Sequence, residues 1–436
     1  MSVYPRNLSN FLNRLSGYNK NNVKLTVLGS GSAQQGEIIQ VDLPSNSIVD
    51  LSSLAWSFQV VYGTQTGNGT HTPPINCEGL ISRLAVEVNG QTLVNMTNYN
   101  DLFHLLLNMT ATEDYQRQRM VGQTNVSDTA AATATTNGTT QALVAADAGA
   151  KSTRFHTIDT WLGFLGSAKP NFIDTSLLGN VRITITLAPG DILGGGAGNA
   201  ANTNRTYTVS SQAFSIDTIS ISDGIYDSMV DSMLASGRPI EIPFKNYFAY
   251  TNLVNNMGQT TLFNVASQSI DRLWGSARLQ AYKNDNNPPK AVDGNGNEAL
   301  SIIKSTPSYF TYKGDTGKHY QFQVNNTLYP NWQMTRGDQF FQHVKLAVGD
   351  MGNMLSGSVP VSAKSYLENY FAFCVSLEHH TDSDERFMSG IDTRGSSANC
   401  YFKSDDNGAA ASQILVFAEC TSSLKIMANK VLEIIQ

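Results

Sequence analysis

The chain has 436 residues and a net charge of −6, with 41% hydrophobic, 9% aromatic and only 15% charged residues. Its length exceeds what one hydrophobic core usually fills, so two domains of roughly 200 residues each are expected. Charge is well under the ~25% of an average soluble protein. Asn, Thr, Ser, Gly and Gln fill the gap, which suits an all-β chain with surfaces buried against other subunits better than a highly solvated enzyme. The acidic balance excludes general nucleic-acid binding, which needs a basic patch or stripe.

The first 36 residues contain Arg6, Arg14, Lys20 and Lys24 and no acid; Glu37 is the first. This stretch reads as a basic N-terminal arm. Within it Val3, Leu8, Phe11, Leu12 and Leu15 share an approximate helical face, with Arg6 and Arg14 among the polar positions. The N-terminus MSVYPRNLSNFLNRLSGYNK lacks the apolar stretch of a secretory signal. No run of 18 apolar residues occurs anywhere, so no transmembrane helix is expected. The sequons at Asn95 and Asn108 then read as by-products of an Asn/Thr-rich composition.

Beyond the arm the dominant pattern has period two, the mark of strands with one buried face. Leu54, Trp56, Phe58, Val60 and Tyr62 point one way; so do Leu84, Val86 and Val88, which run into Asn89-Gly90, a hairpin signal. A short helix is expected after Asn98 or Asn100, with Leu102, Phe103, Leu106 and Leu107 on one face. Val181, Ile183, Ile185 and Leu187 form another strand face. Phe214 and Ile216 continue on the opposite parity at Ile219 and Ile221, so a β-bulge is expected near Asp217–Thr218. Gly237 and Pro239 mark a seam at 235–244. After it, Tyr320, Phe322 and Val324 read as a strand, as do Val344, Leu346 and Val348. Tyr366, Leu367, Tyr370 and Phe371 read as a second helix capped by Ser362, and ILVFAECTSSLKIMANKVLEIIQ as two closing strands. One strand-to-helix succession in each half hints at duplication. Long neutral loops are expected at 123–153, 194–204 and 283–298.

Half-buried antiparallel strands separated by turns argue for sandwiches. The expected fold is all-β: two tandem jelly-roll β-sandwiches with short helices and long loops. The expected division is an arm at 1–36, a first roll at 37–237 and a second at 238–436. Cys77, Cys374, Cys400 and Cys420 form no CxxC pair, so buried, reduced thiols are expected.

Four segments resemble double jelly-roll major capsid proteins of viruses: DTWLGFLGSAKPNFIDTSLLGNVRITITLAP (159–189), LYPNWQMTRGD (328–338), FMSGIDTRGSSANCYFKSDD (387–406) and LVFAECTSSLKIMANKVLEII (415–435). The nearest relatives suggested are capsid proteins of virophages and polinton-like viruses. Adenovirus hexon and the capsid proteins of tailless, membrane-containing phages are more distant. The resemblance implies a homotrimer whose six rolls make a pseudo-hexagonal capsomer of an icosahedral virion. It also implies penton and minor capsid or cement proteins as partners. On this reading the arm faces inward, toward a membrane, the genome or neighbouring capsomers, with Arg6, Phe11 and Arg14 as candidate contact residues; the plainer alternative is a terminal extension without contacts.

No GxSxG, HExxH or P-loop string occurs, and GGGAG at 194–198 lacks the following Lys-Ser/Thr pair. His379, His380, Asp382, Asp384 and Glu385 are the densest set of potential metal ligands, but a solvated polar loop explains them as well. No catalytic residue, metal site or cofactor is expected. The competing reading is a glycan-binding jelly-roll adhesin or a minor virion surface protein; a jelly-roll glycosidase comes third, without motif support.

Overall fold

The computed structural model describes residues 18–62, 71–74, 76–111, 115, 118–123, 126–127, 140–141, 152–195, 206–221, 225–254, 260–279, 308–314, 319–348, 366–367, 370–378, 389–395, 400–404 and 412–436. Arg6, Phe11, Arg14 and the 379–385 cluster lie outside the described residues. So do the loop 283–298 and most of the loops 123–153 and 194–204.

In the first half, β1 (Tyr18–Leu25), β15 (Tyr207–Ile221), β5 (Ile48–Tyr62) and β11 (Ser152–Ile158) form one antiparallel sheet in that order. To it β3 (Ala33–Gln34) and β12 (Phe172–Asp174) add short edges. The second sheet runs β2 (Val27–Leu28), β4 (Ile38–Asp42), β13 (Val181–Leu187), β7 (Ile81–Val88), β8 (Gln91–Thr97). Two small pairs stand beside them: β6 (His71–Thr72) with β14 (Gly194–Gly195), and β9 (Val126–Ser127) with β10 (Thr140–Gln141).

In the second half, β16 (Ile240–Val254), β23 (Ser412–Ile426), β18 (Ile270–Leu279) and β21 (Phe373–Ser376) form one sheet, with β24 (Leu432–Ile435) on β23. Opposite stand β17 (Thr260–Phe263), β22 (Cys400–Ser404), β19 (Tyr320–Val324) and β20 (Thr327–Tyr329). Phe322 of β19 stacks on Phe373 of β21 at 5.6 Å between the two sheets. Among the described residues, no sheet mixes strands from the two halves.

Counted in chain order, the eight principal strands of the first half are β1, β4, β5, β7, β8, β11, β13 and β15. Their sheets then read 1-8-3-6 and 2-7-4-5. The eight strands β16 to β23 give the same two orders. This is the eight-stranded jelly roll, made twice. A helix fills the connection between strands five and six in each roll: Tyr99–Thr110 in the first, Gly337–Val348 in the second.

The alternating faces behave as the pattern requires. Leu54, Trp56, Phe58, Val60 and Tyr62 are buried, as are Val181, Ile183, Ile185 and Leu187. Asn89 (φ +49°) and Gly90 (φ +78°) close a two-residue hairpin between β7 and β8, the left-handed pair that matches strand twist. The expected phase slip is present, but it is carried by β5. β15 steps from Ser215 to Asp217 while its partner steps from Ala55 to Asp50, and the Ser53 hydroxyl accepts from the Asp217 N–H in the gap. A second irregularity lies between Ser210 and Ala213, where Ser211 has φ +51°.

Three expectations are corrected. Val344, Leu346 and Val348 are not a strand; they belong to the helix Gly337–Val348. Phe340, Val344 and Ala347 are its buried side, at i, i+4 and i+7, and that period outweighs a three-residue alternation. Asp338 in the first turn and Lys345 in the last suit the helix dipole. The helix expected through Phe371 does not extend that far: Tyr366 and Leu367 are helical, but Tyr370 bridges Tyr312 and the Phe371 N–H donates to the Tyr312 carbonyl. Part of the stretch 1–36 is also sheet rather than free arm. From Tyr18 to Leu25 it pairs with β15, and Lys20 meets Asp217 at 2.8 Å. All four cysteines are buried and unpaired with one another.

Candidate functional site at the junction of the two sandwiches

The helix Tyr99–Thr110 begins at Asn98, which caps through its backbone in a left-handed conformation (φ +50°) while its side chain makes no capping bond. Nearly every residue of the helix is buried, Asp101 and His104 among them. A helix covered on all sides belongs between two cores, and this one meets the helix Gly337–Val348 of the other roll.

Asp101 is the polar centre of that junction. Arg278, on β18, grips it with two bonds, Nη1 to Oδ1 at 3.0 Å and Nη2 to Oδ2 at 3.3 Å. Both side chains are 1% exposed. The Tyr312 hydroxyl donates to the same Oδ1 at 2.6 Å. Arg278 also donates Nη1 to the Tyr309 carbonyl at 2.8 Å, and Nη2 and Nε to Gln413 Oε1 at 2.7 and 3.1 Å. These bonds use all five guanidinium N–H groups. The guanidinium carbon lies 4.1 Å from the centre of the Tyr309 ring, a cation–π contact.

Burial opposes the Arg278 charge, but the Asp101 carboxylate overrides it and holds the guanidinium above its ordinary value. Burial first, then Asp101, pushes the Tyr312 hydroxyl well up, and the same two causes lift Tyr309 to about 12. One turn along, His104 donates from Nδ1 to the Asn100 carbonyl at 2.8 Å and stacks on Phe310 of the other roll at 4.1 Å. Burial lowers its pKa to about 4, so the ring is neutral at pH 7.

A second line of contacts runs past the chain crossing. Phe164 meets Phe244 edge-on at 5.3 Å, the Lys169 N–H donates to the Pro243 carbonyl at 3.0 Å, and the Lys245 N–H donates to Ser167 Oγ at 2.8 Å. Lys245 Nζ is held by Asp271 at 2.8 Å and Thr421 at 3.0 Å, with Glu378 at 3.4 Å. At the far end Lys430 Nζ reaches the Ser176 carbonyl at 3.0 Å. Two jelly rolls are thus joined by specific buried polar bonds, an arrangement suited to fixing their mutual angle.

None of these residues was singled out by sequence pattern. Asp101 is a lone acid in the apolar run YNDLFHLLL, whereas Arg278 is one of three charged residues in the strand IDRLWGSARL. A lone charge in such a run signals a partner, but that partner is 177 residues away in sequence. Among the described residues, no group of three or more His, Cys, Asp or Glu side chains could hold a metal ion.

The topology defines a double jelly-roll protein, and solved structures share it. The chain is similar to PBCV-1 VP54, with a TM-score of 0.62 at 13% identity over 100% of this chain and 98% of that one. It is similar to the Faustovirus major capsid protein, with a TM-score of 0.56 at 12% identity over 97% and 92%. A third is the Sputnik virophage structure, with 0.51 at 11% identity over 100% and 92%. No protein-family model matches the sequence, and no curated protein matches it significantly.

Proposed function

We propose that the chain is a viral major capsid protein that self-assembles into pseudo-hexagonal homotrimers tiling an icosahedral shell. The observation that carries this reading is the repeated strand order, 1-8-3-6 and 2-7-4-5, in both halves of one chain. Two equivalent sandwiches locked at one angle let three chains present six similar units around an axis, which is how a trimer fills a sixfold position. The fold shared with VP54 and the Faustovirus protein over nearly the whole of each chain supports the same reading. The low charge fits broad intersubunit surfaces, as in obligate interfaces.

On this reading the protein resides in the virion and acts structurally, without cofactor or catalysis. The rolls divide at the turn around Gly237, ahead of β16. Penton and minor capsid or cement proteins are its further partners. The N-terminal arm faces inward, toward neighbouring capsomers, a membrane or the genome, through Arg6, Phe11 and Arg14.

Electron microscopy of the purified chain at assembly concentration tests the proposal. Particles with a pseudo-hexagonal outline, packed into hexagonal sheets or shells, are expected. Discrete elongated monomers that are retained on a glycan array would overturn it in favour of the adhesin.

A further inference from the structure

The two rolls of one chain meet through edge strands. β8, strand five of the first roll, is the outermost strand of its sheet, and β16, strand one of the second roll, is the outermost of its own. The two lie side by side at the internal junction. There the Gln436 side-chain amide donates to the Leu93 carbonyl of β8 at 3.5 Å. Tyr99, Asn100 and Asp101, which follow β8, are buried. Phe244, Asn246 and Tyr247 in the middle of β16 are buried as well, so this strand is covered on both faces.

Because the roll is repeated, the chain carries the same two surfaces a second time. Strand five of the second roll is β20 and strand one of the first is β1. Both are again outermost in their sheets, and among the described residues neither pairs with a strand on its outer side. Here the exposure is reversed. Asn331, Trp332 and Gln333, which follow β20, are exposed, with Trp332 at 49%. Its ring tilts against His343, 6.2 Å between centroids. On β1, Asn19, Lys20, Asn21, Asn22 and Lys24 are exposed. What the internal junction covers on β8 and β16 is bare on β20 and β1.

We propose that β20 and Trp332 of one chain pack against β1 of a second copy, repeating between chains the junction that β8 and β16 make within one. The proposal rests on the trimer reading above and names the seam that reading needs. Different surfaces meet, so the contact is heterologous, and it closes when three chains bring six rolls round one axis. Trp332 is the anchor, a broad rigid surface with one N–H to place, of the kind that dominates interface energies. The open edge of β1 supplies backbone and Asn groups to receive it. A second copy is the occupant because the chain already contains the finished form of this junction.

Native mass spectrometry of the full-length chain tests it with two variants, Trp332→Ser and Asn21→Glu/Lys24→Glu. All three side chains are exposed, and an unchanged far-UV circular dichroism spectrum confirms that each variant folds. Each variant alone is expected to lose the three-chain species and remain at one chain. An equimolar mixture is expected to recover a two-chain species, since the intact β1 of the first variant meets the intact Trp332 of the second. It stops at two chains because both remaining ends are damaged. Three-chain particles from either variant alone would overturn the seam and leave the trimer intact. A mixture that stays at one chain, with a wild type that forms three-chain particles, would overturn it too. A wild type that never exceeds one chain would remove the trimer reading itself, and the seam with it.

Discussion

The Asp101–Arg278 pair allows a prediction with an asymmetry built in. Removing one partner of a buried ion pair strands the other charge and costs roughly 3–5 kcal/mol. Asp101→Asn leaves Arg278 1% exposed, still bonded to the Tyr309 carbonyl and Gln413 but with no counter-charge. A guanidinium cannot shed its proton. Arg278→Met leaves Asp101 with the Tyr312 hydroxyl, and a carboxylate can neutralise itself by taking up a proton. The aspartate variant therefore sits at the upper end of that range and the arginine variant at the lower end. For a roll of ~200 residues, 3–5 kcal/mol lowers Tm by roughly 6–20 °C. Asp101→Asn/Arg278→Met is expected to cost at least 1 kcal/mol less than the sum of the singles, the sign of direct coupling. Differential scanning calorimetry with urea titration at pH 7 gives all three values, and lowering the pH to 5 narrows the deficit of Arg278→Met. Two single variants each costing under 1 kcal/mol, or strict additivity, would refute the lock between the rolls.

Three further outcomes follow from the same packing. His104 has a folded pKa near 4 against 6.5 in the unfolded chain, so its contribution is intact above pH 6.5 and is lost as pH falls toward 4. A drop of 2.5 pH units in pKa amounts to at most about 3 kcal/mol. His104→Gln flattens the stability profile between pH 6.5 and 4, and urea titrations across that window check it; an unchanged slope counts against this. Gly275→Ala places a methyl group 2.6 Å from the Phe402 ring in the second core, so a loss of about 1–3 kcal/mol in urea titration is expected. Deleting residues 1–17, which stops short of β1, leaves the number of chains per particle and the Tm unchanged but impairs sheet or shell formation by electron microscopy; unchanged assembly would remove the arm from that role.

Much of the fold was legible because strands with one buried face write it into the chain directly. The runs at 54–62, 84–88, 181–187 and 320–324 fall where alternation puts them, and Asn89-Gly90 fixes a register that a two-residue turn leaves little choice about. Short amphipathic stretches were less secure. Val344, Leu346 and Val348 satisfy a strand pattern over five residues, while the helical period of Phe340, Val344 and Ala347 needs eight residues to show. The parallel of one helix in each half was legible, but in the second roll the helix lies at Gly337–Val348 rather than at 362–371, within the same connection between strands five and six. The junction was illegible for another reason. Asp101, Arg278, Tyr312 and Gln413 come from segments that only the three-dimensional packing of two rolls brings together, and no local pattern announces such a meeting. The basic arm was visible by composition, but its last residues from Tyr18 onward are claimed by pairing with β15.

The claim most open to a single measurement is that three double rolls make one unit. Native mass spectrometry of the purified chain weighs that unit. A dominant species of three chains, three times 47.3 kDa or about 142 kDa, is the expected result. A population that stays at one chain across the concentration range of assembly would contradict it.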